Sequence, residues 1–364
     1  MRSYFLLLLL FAVVHTQAQP DTLLQPPAAA HPFNGVVLLA DNGTVWHQQA
    51  YGYRRFETQE PLQATDIFEL ASVSKQFTAM IIVLLQQEGL LQYDDPVERY
   101  LQLPYKGITI RHLLTHTSGL PDYQALMDKY WDKRFVAGNE DILRYLNRYQ
   151  PRMRFAPGER YEYSNTGYVL LASIAEKAAG RDFITLCREW IFKPLGMADT
   201  DIRTPDEKRG MPRLAPGYQY VAAQQRHVSA DSFPASNYTL WLGNRKGPGR
   251  ISSTAQDLLK WDAALYNNLL ATPASLAAMY RPMRLNKGDT SQYGFGWELS
   301  QHPVLGRIVK HSGDNPGYKT QIIRCIDARQ TLIVLSNNAF AEFDAYVDRL
   351  LQAVALRYRQ QAGQ

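Results

Sequence analysis

The stretch from Glu69 to Leu91, "ELASVSKQFTAMIIVLLQQEGLL", decides how the rest of the chain is read. From Phe77 to Leu85 it is built to be buried, as a helix enclosed by protein is. Ser72 and Lys75 stand three apart where that helix begins, so helical spacing puts both side chains on one face. The helix is expected to run from Ser72 to about Gly89, where glycine can cap it. One reading is structural: a serine caps the helix and a lysine snorkels out to water. The other is chemical. A serine hydroxyl is a poor nucleophile until a base takes its proton. A lysine stripped of water gives up its own proton and becomes such a base, and Ser72 would also sit in the positive field of the helix N-terminus.

Upstream, "FNGVVLLADNGTVWHQQAYGYRR" alternates apolar and polar residues around Asp41-Asn42-Gly43, which predicts a hairpin. Downstream, residues 93–205 carry helical periodicities broken by Pro and Gly, and residues 217–249 are irregular. "STAQDLLKWDAALYNNLL" then gives a helix with Ser253 or Thr254 at its N-cap. "YGFGWEL", "GRIVKHS", "GYKTQIIRCID" and "TLIVLSN" read as strands, closed by an amphipathic helix in "EFDAYVDRLLQAVALRYRQQ". The expectation is an α/β (α+β) fold whose one sheet is made from both chain ends and flanked by helices. Its α/β part would cover about 31–92 and 206–364, with a mainly helical region inserted at about 93–205.

The first twenty residues, "MRSYFLLLLLFAVVHTQAQP", hold one arginine, an apolar run from Phe5 to Val14, and the small residues Thr16 and Ala18. The run is too short for a membrane span and fits a secretory signal over residues 1–18. The mature chain, 19–364, is then a secreted or periplasmic protein with no transmembrane segment, and no cysteine near the cut offers a lipid anchor. The net charge of +5 (+4 without Arg2) is spread along the chain without a block of like charges, which excludes a nucleic-acid platform. Cys187 and Cys325 allow at most one disulfide and are expected as buried free thiols. The eight histidines form no HExxH or other ligand spacing, so neither a metal nor a cofactor is expected.

Two further motifs accompany Ser72-Val73-Ser74-Lys75. Tyr163-Ser164-Asn165 follows a loop held by Pro157 and Gly158 and precedes a helix that Gly180 closes. A phenol beside a cation ionises more easily and can serve as base or acid, and Asn165 can donate to a substrate carbonyl. His311-Ser312-Gly313 stands between two predicted strands and reads as a small-residue turn at a sheet edge. An N–H left free there, that of Asp314, can join the Ser72 N–H as an oxyanion hole. Each motif alone also has a structural reading, as helix cap or hairpin turn.

Together, in this order and separation, the three motifs resemble the serine β-lactamase and penicillin-binding DD-peptidase superfamily, most nearly its class C (AmpC-like) branch. "LLTHTSGLPDY", "FAPGERYEYSNTGYVLLASIAEKAAGR" and "GPGRISSTAQDLLKW" extend the resemblance, which covers roughly Phe33 to Asn337. It implies a β-lactamase/transpeptidase-like fold and an acyl-enzyme on Ser72, with Lys75 as proton partner and Tyr163 as second acid/base. It further implies that Asn165 holds the substrate amide, that His311, Ser312 and Gly313 line the strand edge, and that Ser72 and Asp314 N–H groups form the oxyanion hole. Where class C β-lactamases usually carry Lys-Thr-Gly, this chain has His-Ser-Gly, which is more familiar in DD-carboxypeptidase, D-aminopeptidase and esterase members. Lys208-Arg209-Gly210 lies in a predicted polar loop and is no substitute. The expected partner is thus a small-molecule or peptide substrate, ester or amide. The competing reading is a catalytically silent binding or scaffold protein that has kept the fold. His112 and His116 are read as structural, and no Gly-x-Ser-x-Gly elbow is present.

Overall fold

The computed structural model describes residues 20–29 and 31–363; the expected signal segment, 1–18, lies outside the described residues. Strands β1 (Gly35–Asp41) and β2 (Thr44–Tyr51) flank Asn42 at φ 47° and Gly43 at φ 79°. Two successive left-handed residues make the hairpin turn that this dipeptide favours.

Four strands from the other end of the chain complete the sheet: β3 (Glu298–His302), β4 (Gly306–Asn315), β5 (Tyr318–Cys325) and β6 (Gln330–Ser336). The order is β3-β4-β5-β6-β1-β2, antiparallel at every step, and Gly35 pairs with Ser336 where the two ends meet. Helices cover both faces, so central strands are apolar throughout rather than alternating. On one face Val36 and Leu38 of β1 join Phe77, Ile81, Leu258 and Trp261, from helices α1 (Lys75–Gln87) and α3 (Ala255–Tyr266). On the other, Val37 and Leu39 pack with Phe343, Tyr346 and Leu350 of α4 (Phe343–Ala362). Each such fully buried side chain contributes about 1.5–3 kcal/mol.

Residues 93–205 fold as helices, the longest being α2 (Asn165–Ala179), with a single short strand, Asp201–Ile202, among these described residues. Ser164 caps α2 and Gly180, at φ 62°, ends it. Thr254, not Ser253, caps α3. The segment 217–249 is more regular than expected: Tyr218–Val221 pairs with Arg226–Ser229. Cys187 and Cys325 are free and buried. Among the described residues no helix is long and apolar enough to cross a membrane.

Candidate active site

The helix of the opening stretch begins three residues later than its spacing predicts. Ala71–Ser74 form a 3₁₀ turn, and α1 starts at Lys75. Ala71 is held at φ 48°, a left-handed conformation that costs a non-glycine residue about 1 kcal/mol and that persists only where its surroundings enforce it. Eleven of the thirteen residues of α1 are buried, Lys75 among them at 0% exposure, so its side chain cannot snorkel. Lys75 Nζ lies 2.9 Å from Ser72 Oγ and donates to the Pro248 carbonyl at 2.8 Å. Burial, reinforced by the nearby Arg245 cation, holds the ammonium well below its ordinary pKa. No carboxylate pairs with it among the described residues. A neutral amine against a serine hydroxyl is what proton abstraction requires.

His311, Ser312 and Gly313 are not a turn but the middle of β4; the turn is Pro316-Gly317, beginning three residues after Gly313. Pairing with β3 stops at Lys310, opposite Glu298, so β4 from His311 to Asn315 has one open edge. Strand alternation settles which groups face it. The Arg307 carbonyl accepts from Ile326 on the β5 side, so odd-numbered residues bond to β5 and Ser312 and Asp314 direct N–H and C=O to the open edge. Gly313 has a steric reason: a Cβ there would stand 2.2 Å from the Leu70 carbonyl and 3.1 Å from Ala71 Cβ. The missing side chain lets the turn carrying Ser72 press against the strand that offers the Asp314 N–H.

Tyr163 lies just ahead of the α2 cap. Lys75 Nζ is 4.8 Å from its ring centre, and its hydroxyl is near enough to Ser72 for the serine to influence its protonation. The expectation of an easily ionised phenol is corrected here. Burial raises the Tyr163 pKa, and the neutral lysine beside it supplies no compensating cation; the nearby Ser72 hydroxyl opposes this rise only in part. Although the residue is 40% exposed overall, its hydroxyl end is set into protein. The Tyr163 phenol therefore stays protonated, which suits it to donate a proton rather than to stand as a base.

His116, read from sequence only as structural, grips this tyrosine. Its Nδ1 accepts the Ser164 N–H at 3.0 Å, its carbonyl accepts the Glu162 N–H at 2.9 Å, and its ring lies 4.2 Å from that of Tyr163. Both neighbours of Tyr163 are thus bonded to one residue, itself fully buried at φ 57°. Nδ1 accepts, so the ring is neutral with its proton on Nε2, and burial holds its pKa well below the usual value. Asparagine places an oxygen near the Nδ1 position and tolerates the left-handed backbone. His116→Asn is expected to keep most of the turnover, while His116→Ala lowers kcat about tenfold or more with little change in KM. Equal loss in both variants, or a loss confined to KM, overturns the clamp.

His311 is buried, with Nδ1 2.6 Å from the Ser312 carbonyl and Nε2 2.8 Å from the Tyr293 hydroxyl. A carbonyl only accepts, so Nδ1 carries the proton and Tyr293 donates to Nε2. Burial and the proximity of Lys75 push its pKa down to about 3. It is neutral at physiological pH and offers no charge to a substrate, not even the partial one that an ordinary histidine provides. The Ser312 side chain points away from Ser72, lining a pocket with Lys310 and Asp344 on the α4 side of the sheet; only its backbone belongs to the open edge. Asn165 opens α2, half-buried. Asp314 is exposed, 3.6 Å from Lys319. His112 completes the capping box at the start of its own short helix, its Nδ1 accepting the Thr109 N–H at 3.1 Å. Lys208 is not in an open polar loop. It ends a short helix, Pro205–Lys208, and its ammonium is buried against Glu69, three residues before the serine. Among the described residues no group of three His, Cys, Asp or Glu side chains converges as a metal would need.

Comparison with known proteins follows from this geometry. The Beta-lactamase family profile matches residues 21–357. The chain belongs to the Beta-lactamase family. It is a serine hydrolase of the β-lactamase and penicillin-binding-protein type, with the mixed α/β fold of that superfamily. A penicillin-binding protein of Bacillus subtilis (strain 168) is 43% identical over 337 residues, 92% of this β-lactamase-family chain and 74% of the relative. A D-aminopeptidase of Gluconobacter oxydans (strain 621H) is 26% identical over 89% of this chain, which spans only 59% of that protein's length. The crystal structure of a D-amino acid amidase from Ochrobactrum anthropi SV3 superposes with a TM-score of 0.71 at 27% identity, covering 88% of this chain and 93% of the other.

Proposed function

We propose that this chain is a secreted or periplasmic hydrolase of the class C-like branch that cleaves amide or ester bonds through an acyl-enzyme on Ser72. The observation that carries this reading is the buried Lys75 amine 2.9 Å from Ser72 Oγ with no carboxylate partner. Lys75 takes the serine proton as Oγ attacks the carbonyl carbon. The Ser72 and Asp314 N–H groups stabilise the oxyanion, a contribution of about 3–4 kcal/mol per donor in other hydrolases. Tyr163 hands its proton to the leaving group and is reprotonated by Lys75, which holds the proton taken from Ser72. Water then attacks the ester from the Tyr163 side, and the same groups run in reverse. Asn165 orients the substrate amide, and His311 and Gly313 shape the edge on which the substrate lies. The D-aminopeptidase and D-amino acid amidase relatives support a D-configured peptide or amide as the natural substrate class, of DD-carboxypeptidase or D-aminopeptidase type, with simple esters accepted.

Mixing with a nitrophenyl ester is expected to release a burst near one equivalent per chain before steady turnover. A D-alanyl anilide in an N-acylated peptide is expected to exceed its L-counterpart about tenfold or more in kcat/KM. No burst across several acyl lengths sinks the acyl-enzyme; equal D and L rates sink the substrate class.

A further inference from the structure

Tyr163 supplies the leaving-group proton, so the leaving group must sit at its end of the open edge, beside His311, whose ring centre is 6.2 Å away. The acyl part of the substrate therefore runs the other way, along Asp314 and Asn315 to the hairpin tip. A cavity of about 260 Å³ opens there, lined by Asn315, Pro316, Tyr318, Arg250, Lys208 and Asp231, among others.

Arg250 is the unusual member of this lining. It is 3% exposed, yet its backbone is held at φ 82°, where a glycine would sit without strain. Its guanidinium donates to two carbonyls, of Thr239 at 2.8 Å and Arg203 at 3.2 Å, and its Nε has no partner. The other cations of the cavity each have a carboxylate: Arg55 has Glu60 at 3.6 Å, Arg209 has Asp206 at 3.0 Å, and Lys208 has Glu69. Among the described residues Arg250 has none within ion-pair distance. Asp231, exposed and bonded to the Thr239 hydroxyl at 2.9 Å, is the acidic group that faces it from further off. Arg245 repeats the pattern. It is 6% exposed, with Nε and Nη1 unpartnered and its guanidinium 5.5 Å from the centre of the Tyr238 ring, and it stands within electrostatic reach of both Lys75 and Arg250. Two neighbouring buried cations without counter-ions are unfavourable unless something else neutralises them.

We propose that this cavity is the subsite for a carboxylate carried on the acyl part of the substrate, held by Arg250. The proposal rests on the acyl-enzyme reading above and narrows it. A free α-ammonium on the acyl group would meet this run of cations, so the favoured substrates are N-acylated and acidic rather than those of an aminopeptidase. Backbone strain at a residue whose side chain lines a cavity marks a position kept for that side chain.

The test compares the p-nitrophenyl half-esters of adipate and pimelate with their uncharged methyl diesters, on wild type, Arg250→Gly and Arg250→Gln. Glycine relaxes the left-handed backbone, and glutamine keeps a polar group for the facing carbonyls, so the two variants fail differently if folding is at issue. Wild type is expected to prefer the acidic ester about tenfold to hundredfold in kcat/KM, the range for a charged hydrogen-bonded pair. The ratio falls to near unity in both variants. A ratio near unity in wild type, or one unchanged by substitution, overturns the subsite. Inorganic phosphate that raises the Tm of wild type but not of Arg250→Gln, without slowing hydrolysis of the acidic ester, overturns it as well, and assigns the cavity to a free anion. No nitrophenol burst from the neutral ester in wild type fails the acyl-enzyme reading itself, whereas a burst without charge preference fails only the subsite.

Discussion

Ser72→Ala is expected to lower turnover by at least about 10⁴-fold and to abolish the nitrophenol burst, while leaving the fold unchanged. The size follows from what is removed. Without Oγ there is no covalent route, and Lys75 and Tyr163 are left beside a methyl group with nothing to deprotonate. What remains is the positioning of a substrate on the β4 edge, beside the proposed oxyanion donors. Stability should hold because Ser72 is only half-buried and its hydroxyl caps nothing: the 3₁₀ turn has no side-chain cap, and Ser74, not Ser72, accepts the Ile251 N–H. Protein purified free of host esterases and showing residual turnover near wild type removes Ser72 as the nucleophile.

Lys75→Arg is the second large effect. Arginine keeps a cation that cannot be deprotonated in a protein, so a loss of about 10²–10⁴-fold is expected if Lys75 acts as the base. The pH profile separates this from simple crowding. The Lys75 pKa is depressed, so wild-type kcat/KM should rise through an acid limb below the lysine's ordinary 10.5 and then level off. In Lys75→Arg that limb should vanish; a limb of unchanged midpoint assigns it to another group. The same depression has a stability consequence. Between the lowered folded value and 10.5 the unfolded chain binds a proton that the folded one does not. Stability attributable to this site is therefore lost as pH falls, and is full only above the unfolded value. Lys75→Met, which has no charge to desolvate, is expected to be inactive yet more stable at neutral pH by on the order of 1 kcal/mol. Urea unfolding midpoints at several pH values check the sign.

The serine–lysine pair was legible because its signal is local: a polar pair of helical spacing against an apolar run. The two-ended sheet was legible for the same reason, since alternating and continuous apolar runs at both ends have strand lengths. The strand edge was misread. Small residues such as Ser312 and Gly313 ordinarily mark turns, whereas Gly313 is small because the backbone of Leu70 and Ala71 approaches it, a contact between segments some 240 residues apart. Tyr163 was expected to ionise because a charged neighbour was assumed, yet the burial that neutralises Lys75 removes that charge. His116 lay in plain view in "THTSG", but its use depends on two backbone bonds to residues 162 and 164. Arg245 and Arg250 left one overlooked trace: two arginines in "GNRKGPGRISS", a stretch whose glycines and small residues suit close packing. A left-handed arginine has no sequence signature at all.

The pairing of β1 with β6 also sets a timetable. Gly35 cannot find Ser336 until almost the whole chain exists, and contacts of such sequence separation are slow to form because a long loop must close first. No autonomous N-terminal folding unit can contain the complete edge, since β4 and β5 arrive only after residue 305. A growing chain therefore carries its nucleophile for most of synthesis without the strand that would arm it. Hydrolytic competence then appears late and in one step, the order of events that the proposed export of an unfolded chain requires.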